Sequence, residues 1–153
     1  MQIIISAIGK LKKNTPEDEL IQDYLKKTKW SVSIKEFEEK RALPVDQLKE
    51  AESNLLLSSV PAGGKIIALD EKGKTPSSRE FALLLGKWID EGTQSISFLI
   101  GGANGHADIL KEKADYKLSF GRMTLPHMLA RVVLAEQIYR AKTILDGHPY
   151  HKD

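Results

Sequence analysis

Three of the four histidines in this chain, His127, His148 and His151, fall within its final 27 residues, where Arg140 and Tyr150 accompany them. An imidazole with an ordinary pKa of about 6.5 can give or take a proton at neutral pH. A phenol can donate a hydrogen bond to a developing anion. Acid/base work is therefore the chemistry that the tail His148-Pro149-Tyr150-His151 offers. A proline and an aromatic ring so near the end favour docking onto a surface over a free polar tail. No metal is expected: no two histidines share a helix face at His-x-x-x-His spacing, no evident carboxylate completes a triad, and the absence of cysteine excludes a thiolate zinc site. A serine hydrolase is excluded too, since no Gly-x-Ser-x-Gly elbow occurs.

A second group of residues precedes the tail. Gly101, Gly102 and Gly105 follow an apolar run at residues 95–100 and precede a helix expected from His106 to Ala114. Glycines at that junction permit positive φ and close approach of a ligand to the backbone, and a helix start offers free N–H groups. A nucleotide-like ligand fits such a turn, as does a purely structural role. The turn is neither a Walker loop nor Gly-x-Gly-x-x-Gly, and it follows the fourth strand where a dinucleotide fold would use the first. The polar stretch Ser119-Phe120-Gly121-Arg122-Met123-Thr124-Leu125-Pro126-His127 comes next. Asp70 is expected to end the third strand, with Glu71-Lys72-Gly73-Lys74 as a loop at the ligand-binding edge. A phospho-accepting receiver domain would need an acidic pair after the first strand, where this chain has Gly9-Lys10. Lys10, Lys12 and Lys13, at that same edge, are candidate phosphate contacts.

Positioning these groups falls to an alternation of short apolar runs and segments of helical period, the pattern of an α/β fold with a mainly parallel sheet flanked by helices. The strands are expected at residues 2–8, 32–37, 65–70, 95–100 and 116–120. Thr15-Pro16 starts a helix carrying Leu20, Ile21, Tyr24 and Leu25 on one face; Val45, Leu48, Leu55 and Leu56 mark a second, and Phe81, Leu84, Leu85, Trp88 and Ile89 a third. The last helix, about residues 126–145, is apolar on more than one side, as it would be if it packed on its own sheet and on a second copy. A length of 153 residues suits one domain spanning 1–153. Its 23 basic and 21 acidic side chains leave a net charge of +2, which does not by itself nominate nucleic acid. No run approaches a membrane span, the apolar start reads as a strand and not a signal peptide, and the lack of cysteine fits a reducing, cytoplasmic setting.

Taken together, Leu69-Asp70 with Gly73-Lys74, Phe98-Leu99-Ile100-Gly101-Gly102-Ala103-Asn104-Gly105, Leu118-Ser119-Phe120 with Met123-Thr124-Leu125-Pro126-His127, Arg131-Val132, Glu136-Gln137 with Tyr139-Arg140-Ala141, and His148-Pro149-Tyr150-His151 occur in an order and spacing that resembles one family. It is the SPOUT class of trefoil-knotted methyltransferases, in particular the small bacterial enzymes that act on a large-subunit ribosomal pseudouridine. The resemblance covers essentially the whole chain. It implies a deep knot within about residues 65–153, a homodimer, S-adenosylmethionine as methyl donor, and transfer to N3 of a pseudouridine in the decoding-region hairpin of 23S rRNA within the assembled ribosome. By matched position it assigns cofactor contacts to Leu69, Gly101, Gly102, Phe120, Gly121, Arg122, Met123, Thr124 and Leu125, and catalytic roles to Arg140, His148, Tyr150 and His151, and an RNA substrate makes Lys10, Lys12, Lys13, Arg122 and Arg131 candidate contacts. Two positions depart from the family pattern: His106 stands where an apolar residue is expected, and Gly121 where serine or another small residue is usual. A non-catalytic nucleotide- or ribosome-binding α/β module is the alternative from a different class.

Overall fold

The computed structural model describes every residue, Met1–Asp153. Five strands, β1 (Gln2–Ile8), β2 (Ser31–Phe37), β3 (Lys65–Lys74), β4 (Ser95–Ile100) and β5 (Tyr116–Leu118), alternate with five helices, α1 (Pro16–Lys27), α2 (Val45–Ser58), α3 (Ser78–Asp90), α4 (Asp108–Lys113) and α5 (His127–Leu145). The sheet runs β2-β1-β4-β3-β5 with every pairing parallel. All six residues of the central β4 are buried, Ser95 and Ser97 among them, as a central strand covered on both faces requires.

Both faces of the sheet are covered. On one, Ile3, Ile5, Ile67, Ile96 and Phe98 pack with Phe81, Leu85 and Trp88 of α3 and with Leu134, Ile138 and Ala141 of α5. On the other, Ala68 and Leu99 meet Leu56 of α2 and Leu110 of α4. The helix starts follow from their capping chemistry. Thr15 accepts from the Asp18 N–H ahead of Pro16, and Ser77 with Glu80 forms a reciprocal capping box on α3. No helix is long and apolar enough to cross a membrane.

Three expectations are corrected. β3 does not end at Asp70 but continues to Lys74, because Leu69 and Lys74 both pair with Leu118 and residues 70–73 bulge outward between them. The ordered edge is thus strand and ligand-facing loop at once. The second correction concerns Arg131, named by the resemblance and attractive as an RNA contact. It is 3% exposed and ion-paired to Glu36, and it donates to the Gly9 carbonyl at 2.9 Å. The Leu11 N–H donates to the same Glu36 oxygen at 2.8 Å, so Arg131 ties α5 to the ends of β1 and β2 and does not face solvent. Third, α4 begins at Asp108, two residues later than expected, because His106 is drawn into the interior.

The bulge depends on Gly73, where an added Cβ would lie 2.6 Å from the Lys117 carbonyl oxygen. That contact is with backbone, which cannot swing aside as a side chain would. Gly73→Ala is expected to destabilise the protein by about 1–3 kcal/mol, read as a lowered denaturant midpoint at unchanged slope; an unchanged midpoint would show that β3 and β5 can separate freely.

Candidate functional site

The carboxyl ends of β3, β4 and β5 open onto a cleft of about 340 Å³, the edge at which parallel α/β sheets bind ligands. Of the expected cofactor residues, Leu69, Gly101, Gly102, Phe120, Gly121, Met123 and Leu125 line it. Arg122 and Thr124 do not; both are exposed on the outer side of the same segment. Asp70, Glu71, Lys72 and Lys111 supply its charges.

The glycine turn is held from behind. Gly102 and Gly105 bridge each other, with Gly105 N–H donating to the Gly102 carbonyl at 3.0 Å and Gly105 in the left-handed region at φ +79°. A Cβ on Gly102 would sit 2.9 Å from the buried Glu52 carboxylate, and one on Gly101 would sit 3.1 Å from the His106 ring. Side chains are therefore absent where α2 and His106 press against the turn, and backbone alone faces the cleft. Burial, with Glu39 nearby, raises the Glu52 carboxyl above its ordinary value. Next to it, Ser53 Oγ accepts the Ala107 N–H at 2.9 Å. In the third segment, Gly121 has φ +123° and Ser119 Oγ both accepts from its N–H and donates to its carbonyl. That φ accounts for glycine in place of the usual serine.

His106 resolves the second departure from the family pattern. It is 3% exposed and donates Nε2–H to the Leu99 carbonyl at 3.1 Å, pinning the return of the turn to the end of β4. Burial lowers its pKa, more than the Leu99 carbonyl and Asp70 raise it, so the ring is neutral in the fold. It serves as an apolar wedge with one anchored nitrogen.

The cleft suits S-adenosylmethionine on its own terms. Leu69, Phe120, Met123 and Leu125 give apolar walls for a flat purine, bare backbone at residues 101–102 gives hydrogen bonds, and acidic and basic side chains stand ready for a cationic centre and a carboxylate.

The tail docks on α5. Glu136 is its hub: Arg140 Nη2 donates to Oε2 at 2.7 Å and Arg140 Nε bridges both oxygens at 3.2 and 3.1 Å. The Tyr150 hydroxyl donates to Oε2 at 2.7 Å, and Gln137 Nε2 to Oε1 at 2.9 Å. Arg140 also lies 4.9 Å from the Tyr150 ring centroid, while Tyr139 meets that ring edge-on at 4.7 Å. Arg140 Nη1 is 2.9 Å from His151 Nδ1; a guanidinium only donates, so Nδ1 accepts and the ring proton sits on Nε2, which donates to Asp153 at 3.0 Å. Asp153 is held in turn by Arg79 at 2.8 Å, whose hydrogen bond, with that from His151, keeps its carboxyl below the ordinary range. Burial first, and Glu136 second, push the Tyr150 phenol well above its ordinary value, so it remains a donor. His148 stands apart and exposed, its Nδ1 accepting the Tyr150 N–H at 3.2 Å.

Arg140, Tyr150 and His151 thus share one cluster that His148 only adjoins. Reasoning from sequence gave Glu136 no role, although its i,i+4 spacing from Arg140 is the signal that points to it. Glu136→Gln is expected to release the tail, with hydrogen exchange at the Tyr150 amide faster by about 10-fold or more, as loss of a charge-assisted hydrogen bond worth ~1.5–3 kcal/mol implies. A tail equally protected in the variant would remove Glu136 as the hub. His106 carries a pH signature. An unfolded imidazole binds a proton below about pH 6.5 that the folded one refuses, so the unfolded state gains protons and stability falls as pH drops below that value. Denaturant midpoints from pH 7.5 to 5 should decline in the parent protein and decline less in His106→Phe; parallel declines would contradict the neutral buried ring.

The family model described as "Predicted SPOUT methyltransferase" matches residues 1–151. The chain is 51% identical over 152 residues to "Ribosomal RNA large subunit methyltransferase H" of Paramagnetospirillum magneticum, with 99% of each chain covered. Similarity extends to proteins of the same name from Rhodospirillum centenum, at 43% over 99% of each chain, and Methylocella silvestris, at 44% over the full length of each. With a parallel sheet, a glycine-floored cleft and full-length matches in agreement, the chain belongs to the SPOUT methyltransferase family.

Proposed function

We propose that this protein methylates N3 of a pseudouridine in the decoding-region hairpin of 23S rRNA, in assembled ribosomes, as a cytoplasmic homodimer with a deep knot in its C-terminal half. The observation that carries the reading is the pairing of two dissimilar half-sites along α5. Ala130, near its start, lines the glycine-floored cleft, and Arg140 anchors the docked tail cluster further on. The names of the relatives supply the substrate class. For the dimer, Met123 is 87% exposed and Leu129 45%, an apolar strip beside the cleft that a second copy would cover.

S-Adenosylmethionine, when bound, supplies an activated methyl group; Leu69, the 101–102 turn and the 120–125 segment would hold it. The remaining chemistry falls to the chain. The N3 of a uracil ring is protonated and weakly acidic, so its proton must pass to solvent water and the resulting anion must be stabilised for N3 to accept a methyl. Arg140 provides a fixed positive charge and Tyr150 a hydroxyl that stays protonated. His151 Nδ1 accepts from Arg140 and His148 Nδ1 from the Tyr150 N–H, so neither imidazole has a free lone pair in this arrangement. His151 orients Arg140, and anion stabilisation by preorganised donors is the larger part of what the cluster contributes. Lys10, Lys12 and Lys13 are exposed and free to meet phosphates, giving salt-sensitive binding.

The test is transfer of labelled methyl to ribosomes lacking the modification. The parent protein should modify them, whereas Arg140→Ala, or removal of residues 150–153, should lower the single-turnover rate by about 10²–10³-fold with unchanged affinity for S-adenosylmethionine. No transfer by a protein that binds the methyl donor would favour a non-catalytic ribosome-binding module. Full activity without the tail would remove the cluster from the mechanism.

A further inference from the structure

Two charges in the cofactor cleft have no partner in the fold. Asp70 and Lys111 both line it and are half-buried, yet neither is ion-paired, to the other or to any third group. Asp70 Oδ1 accepts the Lys72 N–H at 2.9 Å, which leaves Oδ2 free, and the Lys111 ammonium makes no hydrogen bond. Charged groups drawn partly out of water are ordinarily paired. We infer that these two residues form a clamp for the amino-acid end of the methyl donor, Asp70 taking its α-ammonium and Lys111 its α-carboxylate; this rests on the cleft being the S-adenosylmethionine site.

Placement carries the argument. α4 and α5 cover opposite faces of the sheet, with Leu110 packed on one and Leu134 on the other. Lys111 is what α4 contributes to the cleft. Leu69 packs with the core on the α5 side, and the alternation of a strand turns Asp70 to the α4 side. The apolar wall of Phe120, Met123, Leu125 and Ala130 lies on α5 and the segment leading into it. The cleft thus has a charged end and an apolar end. S-Adenosylmethionine has the same two ends, a zwitterionic amino acid and a purine, with the sulfonium between them. Glu71 and Lys72 also reach the cleft, but they are exposed, where salt and water screen them. His106 shows that the two half-buried charges converge. Burial lowers the pKa of its ring most; the Leu99 carbonyl and Asp70 then raise it and Lys111 lowers it, so both charges stand within Coulombic reach of one ring. That ring is neutral and adds nothing to the balance. One carboxylate and one ammonium therefore face a ligand end that carries one of each, and hydrogen bonds between such ions are the strong ones. A donor held there has its purine directed to the apolar wall and does not bind reversed.

The experiment is calorimetric titration of the purified protein with S-adenosylhomocysteine, its decarboxylated analogue, its deaminated analogue, and methylthioadenosine, which lacks the amino acid altogether. The variants are Lys111→Met, which keeps the aliphatic stem, and Asp70→Asn, which keeps an oxygen for the Lys72 N–H. Lys111→Met should weaken S-adenosylhomocysteine and the deaminated analogue by about 10-fold, as loss of one partly exposed charge-assisted hydrogen bond implies, and should leave the decarboxylated analogue no weaker. Asp70→Asn should weaken S-adenosylhomocysteine and the decarboxylated analogue by a similar factor and leave the deaminated one no weaker. Methylthioadenosine should bind parent and variants alike, Lys111→Arg should restore most of the loss, and thermal unfolding should match the parent. Weakening of every ligand alike, methylthioadenosine included, would reveal a merely structural role, and unchanged binding of S-adenosylhomocysteine in both variants would leave no clamp; either result overturns the assignment. A parent protein that binds none of these ligands would instead overturn the cleft as the cofactor site, and the two failures are thereby distinct.

Discussion

One carboxylate organises the cluster in which the C-terminal tail docks. Glu136 takes hydrogen bonds from Arg140, Tyr150 and Gln137, three groups on two elements that would otherwise be independent. Charge-assisted hydrogen bonds are about twice as strong as neutral ones, and here they converge on a half-buried site where solvent screens them less than at the surface. Their effect is geometric as much as energetic. With Arg140 held by Glu136 on one side and His151 on the other, its positive charge is fixed in direction before any substrate arrives. The last four residues, which carry no secondary structure of their own, acquire a place because this hub and Arg79 receive them.

The glycine-floored cleft is built by a different constraint, the burial of β4. A strand buried on both faces must be covered on both, and its end must turn sharply without side chains in the way. Gly101 and Gly102 satisfy that need because His106 and Glu52 crowd the turn from behind. The outcome is a cleft whose floor is main chain, shaped by residues that need not touch the ligand. Arg131 does the same for α5 as a whole: its pairing with Glu36 and the Gly9 carbonyl fixes the helix against the first two strands, and with it the spacing of cleft and tail.

Much of this was legible in the residues. The alternation of apolar runs and helical periods located all five strands and all five helices to within a few residues, since burial on both sheet faces and the cap at Thr15 write themselves directly into sequence. The bulge at residues 70–73 was not legible, because it arises from two strand residues sharing one partner, Leu118, some fifty positions away. Arg131 misled for a related reason. Its charge suggests solvent or phosphate, and only the fold brings Glu36 to it. Glu136 and Gln137 were present in a recognisable motif, yet their roles depend on which atoms of Ser78, Arg140 and Tyr150 reach them.

The tail histidines show why composition alone overstates what a residue can do. Three imidazoles near a chain end suggest a proton relay, but a ring nitrogen can act as a base only while its lone pair is unclaimed. In His151 that lone pair is taken by Arg140, and in His148 by a backbone N–H. Both rings therefore stabilise an arrangement before they could transfer a proton. The sulfonium of a methyl donor leaves as a neutral thioether, so such a reaction asks the protein chiefly to favour an anionic nucleophile and place it in line. A fixed guanidinium, a phenol that does not ionise and a carboxylate to orient both answer that demand more directly than a general base of pKa near 6.5 would.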